Sequence, residues 1–117
     1  MNILVVEDDA LIGMLLGELL VEMGHAVCAI ESTEAGAVMA AARYRPDMMI
    51  VDAMLGDESG VAAVDTIIET RAIPHVFVSG NIAGVFKSRP NAVGLKKPYT
   101  ESDLASAMQR ALDARAI

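Results

Sequence analysis

The sequence predicts an α/β domain: a parallel five-stranded sheet with helices on both faces. Three observations carry that prediction. Aliphatic runs and helix-period segments alternate five times along the chain, each run is apolar at consecutive rather than alternate positions, and the links between them are short.

The first run, Ile3 to Val6, stops abruptly at Glu7, Asp8 and Asp9, as a buried strand does when its C-terminal end opens onto a loop. Asp9 is placed to cap a helix that begins at Ala10. Ile12, Leu15, Leu16, Leu19, Leu20 and Met23 are assigned to its core face, and Gly24 to its stop. Ala26 to Ile30 is the second strand, after which Ser32 or Thr33 caps a helix reaching about Arg43. Pro46 separates that helix from the third strand, Met48 to Val51, which ends in Asp52. Gly56 and Gly60 break the following loop, Val61 to about Thr70 is helical, and Pro74 introduces the fourth strand, His75 to Ser79. Gly84 and Pro90 leave room for a short helix of about two turns. Ala92 to Leu95 is the fifth strand. Thr100 and Asp103 form a capping box that opens a last helix through Ala114.

Composition sets the outer bounds. The 117 residues fit one domain, read as spanning 1–117 with no effector domain. Hydrophobic types make up 54% and aromatics 3%, so the core is aliphatic and disorder is excluded. The net charge of −7 is uneven: residues 1 to 42 hold seven acids and no Lys or Arg, whereas residues 43 to 117 hold nine of each. Such a chain lacks the positive field that phosphate backbones require, which argues against nucleic acid as a direct partner. No basic n-region precedes the first apolar run, and the longest apolar stretch, Ala10 to Met23, contains Glu18 and Glu22; a cytoplasmic protein without membrane spans is expected. The single Cys28 reads as a small core residue, as do Met48 and Met49. His25 reads as a turn residue and His75 as a strand-entry residue.

In open parallel sheets, ligands bind beyond the carboxyl ends of the strands. Here those ends carry Glu7 and Asp8, then Asp52, then Ser79, then Lys96, Lys97 and Pro98. Carboxylates crowded together repel one another unless cations share the site. Oxygen donors without imidazole or thiolate suit a hard ion, Mg2+ before Mn2+. Lys97, held by the following proline, is the better ligand, and Lys96 reads as solvated.

Taken in order, Val5-Val6-Glu7-Asp8, Met49-Ile50-Val51-Asp52, Phe77-Val78-Ser79-Gly80 and Lys97-Pro98 make the chain similar to the receiver domains of bacterial two-component response regulators, over essentially its whole length. The resemblance implies the flavodoxin-like, doubly wound sheet in order 2-1-3-4-5. It further implies that Asp52 accepts a phosphoryl group from a phosphohistidine, that Asp8 binds Mg2+ directly and Glu7 through water, and that Asp52 and the Met54 backbone carbonyl complete the metal site. Lys97 and Ser79 would meet the phosphoryl oxygens, and Lys97-Pro98 would be cis. No turnover is implied beyond Mg2+-dependent self-phosphorylation and slow self-dephosphorylation. Such a protein acts in a phosphorelay, as a phosphate sink or by contact with a downstream protein, and dimerisation on phosphorylation is compatible with all three.

On the first helix, Leu11, Met14 and Val21 fall opposite the assigned core stripe, together with Gly13 and Gly17. The family docks a histidine kinase or a histidine phosphotransfer protein near this helix, so Leu11 and Met14 are the expected partner surface; packing against the fifth helix is the alternative. Three features depart from the family: Gly56 where Pro is frequent, Gly94 where an activation aromatic is frequent, and a short segment between Ser79 and Lys97. They resemble an atypical subgroup with a Phe-Ala-Thr-Gly-like fourth strand. Gly94 and the short fourth-helix segment also motivate a competing reading, a degenerate receiver that binds proteins independently of phosphorylation. A phosphatase is disfavoured because Met54 stands where a general acid would be needed.

Overall fold

The computed structural model describes residues 1–115. Its strands are β1 (Asn2–Val6), β2 (Ala26–Glu31), β3 (Met48–Asp52), β4 (Met54–Leu55), β5 (Glu58–Ser59), β6 (His75–Ser79) and β7 (Gly94–Lys96). Its helices are α1 (Ala10–Glu22), α2 (Glu34–Tyr44), α3 (Gly60–Ile68), α4 (Ile82–Ser88) and α5 (Glu101–Arg115). The main sheet is parallel and runs β2-β1-β3-β6-β7, which is the anticipated 2-1-3-4-5 order once the small hairpin β4-β5 is set aside.

Successive strand residues divide between two cores, as the period of two requires. Leu4, Val6, Met49, Val51 and Phe77 pack with Ala37, Ala40, Ala41, Ala63, Val64, Ile67 and Val85, beneath α2, α3 and α4. Ile3, Val5, Met48, Ile50, Val76, Val78 and Leu95 pack with Leu16, Leu20, Leu104, Ala107 and Met108, beneath α1 and α5. Alanines on the inner face of α2 bring that helix close to the sheet, so little aromatic volume is needed.

Caps anticipated from the sequence are in place. Asp9 Oδ1 accepts from the Leu11 and Ile12 amides at 3.0 and 3.1 Å, and Thr33 Oγ1 accepts from Gly36 at 3.0 Å. The Thr100–Asp103 box closes reciprocally at 3.0 and 3.1 Å. Gly24 ends α1 at φ 95°, a conformation that favours glycine.

Three assignments require correction. The core face of α1 is Gly13, Leu16, Gly17 and Leu20, not the wider stripe containing Ile12 and Leu15, which are 42% and 52% exposed. Nearly every position of this helix is apolar, so periodicity alone fixed its rotation poorly. Gly13 and Gly17 therefore face inward, where added Cβ atoms would lie 3.0 and 3.3 Å from Ile30. The last strand is Gly94–Lys96 rather than Ala92 to Leu95, because Gly94 pairs with Phe77 and Lys96 with Ser79. Cys28 packs against the core as read but lies at its margin rather than inside it: it is half-buried at an irregularity between β1 and β2, its thiol 3.5 Å from the Ile3 carbonyl oxygen.

Candidate functional site

The parallel register carries the ends of β1, β3, β6 and β7 to one edge of the sheet. Val6 pairs with Val51, Asp52 with Val78, and Ser79 with Lys96, so Glu7, Asp8, Asp52, Ser79 and Lys97 converge there. Glu7, Asp8 and Asp52 each offer a carboxylate oxygen, and these oxygens lie within 4.8 Å of one another. Lys97 Nζ donates to Asp52 Oδ2 at 2.7 Å and to Glu7 Oε1 at 3.2 Å. The Lys97-Pro98 peptide is cis. Lys96 is exposed, as its sequence assignment required.

One ammonium faces three carboxylates. Glu7 is buried, with 5% of its surface exposed. Burial, reinforced by the neighbouring Asp52 and Asp8 carboxylates, pushes its pKa from 4.5 up to about 7 despite the opposing Lys97 bond. Burial by itself would lower the Lys97 ammonium, but its hydrogen bonds to Asp52 and Glu7 outweigh that effect and raise it. The pocket is thus short of positive charge. Its donors are carboxylate oxygens, which fit a hard divalent cation such as Mg2+.

The loop after β3 is a small hairpin in which Met54 pairs with Ser59 and Leu55 with Glu58. The Met54 amide donates to Asp52 Oδ1 at 3.0 Å, which holds the second oxygen of that carboxylate. The Met54 side chain is 64% exposed, so only its backbone belongs to the site. Gly56 turns the hairpin at φ 65°, a conformation that glycine adopts freely and that a proline ring excludes. Gly60, read from the sequence only as a loop breaker, has a further role: a Cβ there would overlap the Asp52 carbonyl group. Its amide donates to the Ala53 carbonyl at 2.9 Å, drawing the start of α3 against the strand that bears Asp52.

Ser79 is 4% exposed, and its Oγ accepts from the Asn81 amide at 3.0 Å, directly before α4. At the other end of α4, Arg89 forms a forked ion pair with Asp65 of α3. Between these anchors, Ile82 and Phe86 cover Gly94: a Cβ at Gly94 would lie 2.6 Å from Ile82 Cδ1 and 2.8 Å from Phe86 Cζ. The space an aromatic would occupy from β7 is filled from α4 instead.

Leu11, Met14 and Val21 of α1 are 60%, 47% and 57% exposed. That exposure contradicts the alternative in which α5 buries them. Among the described residues, no helix is long and apolar enough to cross a membrane.

A family model described as "Response regulator receiver domain" matches residues 3–109. The phyllosphere-induced regulator PhyR of Methylorubrum extorquens is 31% identical over 115 residues, covering 95% of this chain and 43% of that protein. The transcriptional regulatory protein PdtaR of Mycobacterium tuberculosis is likewise 31% identical, with 95% and 56% covered. The chain therefore spans about half the length of these curated relatives. The solution structure of the Erythrobacter litoralis PhyR receiver domain superposes with a TM-score of 0.85 at 28% identity, covering 96% of this chain and 89% of that one. The anti-anti-sigma factor PhyR of Bartonella quintana superposes with a TM-score of 0.85 at 25% identity, covering 98% of this chain and 48% of that one.

Proposed function

Because the chain belongs to the response regulator receiver domain family, we propose that it is a phosphorelay component that accepts a phosphoryl group on Asp52 from a phosphohistidine, with Mg2+ in the adjacent pocket. The observation that carries this reading is the joint placement of Lys97 Nζ 2.7 Å from Asp52 Oδ2 and of three carboxylates with oxygens within 4.8 Å.

An Asp52 carboxylate oxygen attacks phosphorus while the phosphorus–nitrogen bond of the donor breaks. The departing imidazole takes up a proton, and Asp52 becomes an acyl phosphate. Catalysis of this kind is positioning and charge neutralisation. Lys97 meets the phosphoryl oxygens, the Met54 amide orients Asp52, and Asp8, Glu7, Asp52 and the Met54 carbonyl would hold the ion, with Mn2+ a possible substitute. When bound, Mg2+ supplies positive charge to the transferring oxygens.

The new group offers strong acceptors to the Ser79 hydroxyl, whose oxygen now receives the Asn81 amide. Reorientation of Ser79 therefore acts on the entrance of α4, and the signal leaves through that helix. The donor, a histidine kinase or a histidine phosphotransfer protein, docks on the exposed Leu11 and Met14 side of α1. A downstream protein reads the output, in keeping with the anti-anti-sigma designation of the Bartonella quintana relative.

Titration with Mg2+ and beryllofluoride, a phosphoryl mimic, tests the reading by amide NMR. A saturable new set of signals at Asp52, Ser79, Asn81 and Lys97 is the expected result, absent from Asp52→Asn. A spectrum insensitive to beryllofluoride at saturating Mg2+ would refute it and favour the phosphorylation-independent binding module.

A further inference from the structure

Two glutamates outside the acidic pocket tie the Asp52 loop to a neighbouring helix. Glu58 Oε1 of β5 accepts from the Glu34 amide, the first residue of α2, at 2.8 Å. Reciprocally, Glu34 Oε1 accepts from the Ser59 amide at 2.8 Å. The segments are 24 and 25 residues apart in sequence, so the pairing is tertiary. Each glutamate meets an amide that its own element leaves free. Glu34 N–H is among the donors that the first turn of α2 leaves without a helical partner. Ser59 is fixed twice over, because its Oγ accepts from Ala62 at 3.1 Å and caps α3.

From Ser59 the connection to the phosphoacceptor is short. Ser59 pairs with Met54, Met54 donates its amide to Asp52 Oδ1 at 3.0 Å, and the Met54 carbonyl is the backbone ligand assigned to the metal pocket. A two-residue strand pair is too small to hold its own geometry in water. Buried Leu55 and the Ala53 and Gly60 amide bonds fasten the inner side of this hairpin to the sheet, and the glutamate pair braces its outer side, at Ser59 opposite Met54.

We propose that Glu34 and Glu58 are positioning residues for phosphoryl transfer: their reciprocal clasp fixes the Met54 peptide, and with it the Mg2+ pocket around Asp52. This role rests on Asp52 being the Mg2+-dependent phosphoacceptor. It is distinct from the charge of the two side chains, because the clasp acts through hydrogen-bond reach.

Paired conservative variants separate reach from charge. Glu34→Gln and Glu58→Gln keep an acceptor oxygen at the same length and lose the charge; Glu34→Asp and Glu58→Asp keep the charge and withdraw the oxygen. Mg2+ affinity is measured calorimetrically, amide hydrogen exchange is followed in the metal-free protein, and labelling by acetyl phosphate is followed across Mg2+ concentrations. The Asp variants should bind Mg2+ about three- to tenfold more weakly, below the range found for direct partners of metal ligands. Their Ser59 and Met54 amides should exchange faster without metal, and their labelling rate should recover at saturating Mg2+. The Gln variants should resemble the parent in all three measurements.

Two results would overturn the role: faster Ser59 exchange in the Asp variants with parental Mg2+ affinity, or Gln variants weakened as much as Asp variants. If the parent itself neither binds Mg2+ nor becomes labelled, the phosphoacceptor reading fails, and the positioning role falls with it.

Discussion

Glu7→Gln should change the pH dependence of stability in a defined direction. In the metal-free protein Glu7 is buried beside Asp52 and Asp8, and its pKa stands at about 7 against the ordinary 4.5. Between those values the folded chain holds a proton that the unfolded chain has released. Stability from this group is therefore fully present below about 4.5 and lost as pH rises through about 7. At about 1.4 kcal/mol per pH unit of displacement, the loss across the window amounts to about 3 kcal/mol. Gln has no proton to lose, so the variant should gain on the parent by up to about that amount between mildly acidic and mildly alkaline solution. Urea denaturation of both proteins, with chelator present and at several pH values, measures the difference for the pocket as a unit, Glu7 with its Asp52 and Asp8 neighbours; contributions from carboxylates remote from the pocket are shared and cancel. Parallel stability profiles would refute the reasoning, and so would a variant that loses ground as pH rises.

Two further outcomes follow from the helices beside the site. Gly94→Ala places a Cβ 2.6 Å from Ile82 Cδ1 and 2.8 Å from Phe86 Cζ, so these two α4 side chains must move aside, at a cost of about 1–3 kcal/mol. Unchanged urea midpoints and unchanged α4 amide shifts would show that α4 does not rest on Gly94. Met14→Glu alters a side chain that is 47% exposed, so stability should change by less than about 0.5 kcal/mol while transfer from a cognate histidine kinase falls and labelling by acetyl phosphate does not. Lost stability with kinase transfer intact would contradict the docking role of α1.

The sheet and the strand-end site were readable because both rest on unambiguous local signals. Ile3 to Val6 and Met48 to Val51 are wholly apolar, and each stops at a carboxylate for which a buried strand supplies no other reason. Caps at Asp9, Thr33 and Thr100 were equally legible, since the chemistry needed is confined to a few adjacent residues. The rotation of α1 was not, because a helix apolar on nearly every side gives periodicity little contrast. Nor could sequence reveal the Glu34–Glu58 clasp or the close approach of Gly60 to Asp52. Both depend on how distant segments meet, and a glutamate beside a loop looks the same whether solvated or bonded. The filling of the space over Gly94 by Ile82 and Phe86 is of the same kind: the absence of an aromatic on that strand was visible, the cover supplied by α4 was not.

Intact-mass analysis after incubation with acetyl phosphate and Mg2+ tests most directly whether Asp52 is a metal-dependent phosphoacceptor. The parent should gain a single phosphoryl group, lose that gain when Mg2+ is chelated beforehand, and show none in Asp52→Asn. A parent that stays unmodified at saturating Mg2+, or an Asp52→Asn protein that is labelled as fully as the parent, would contradict the assignment.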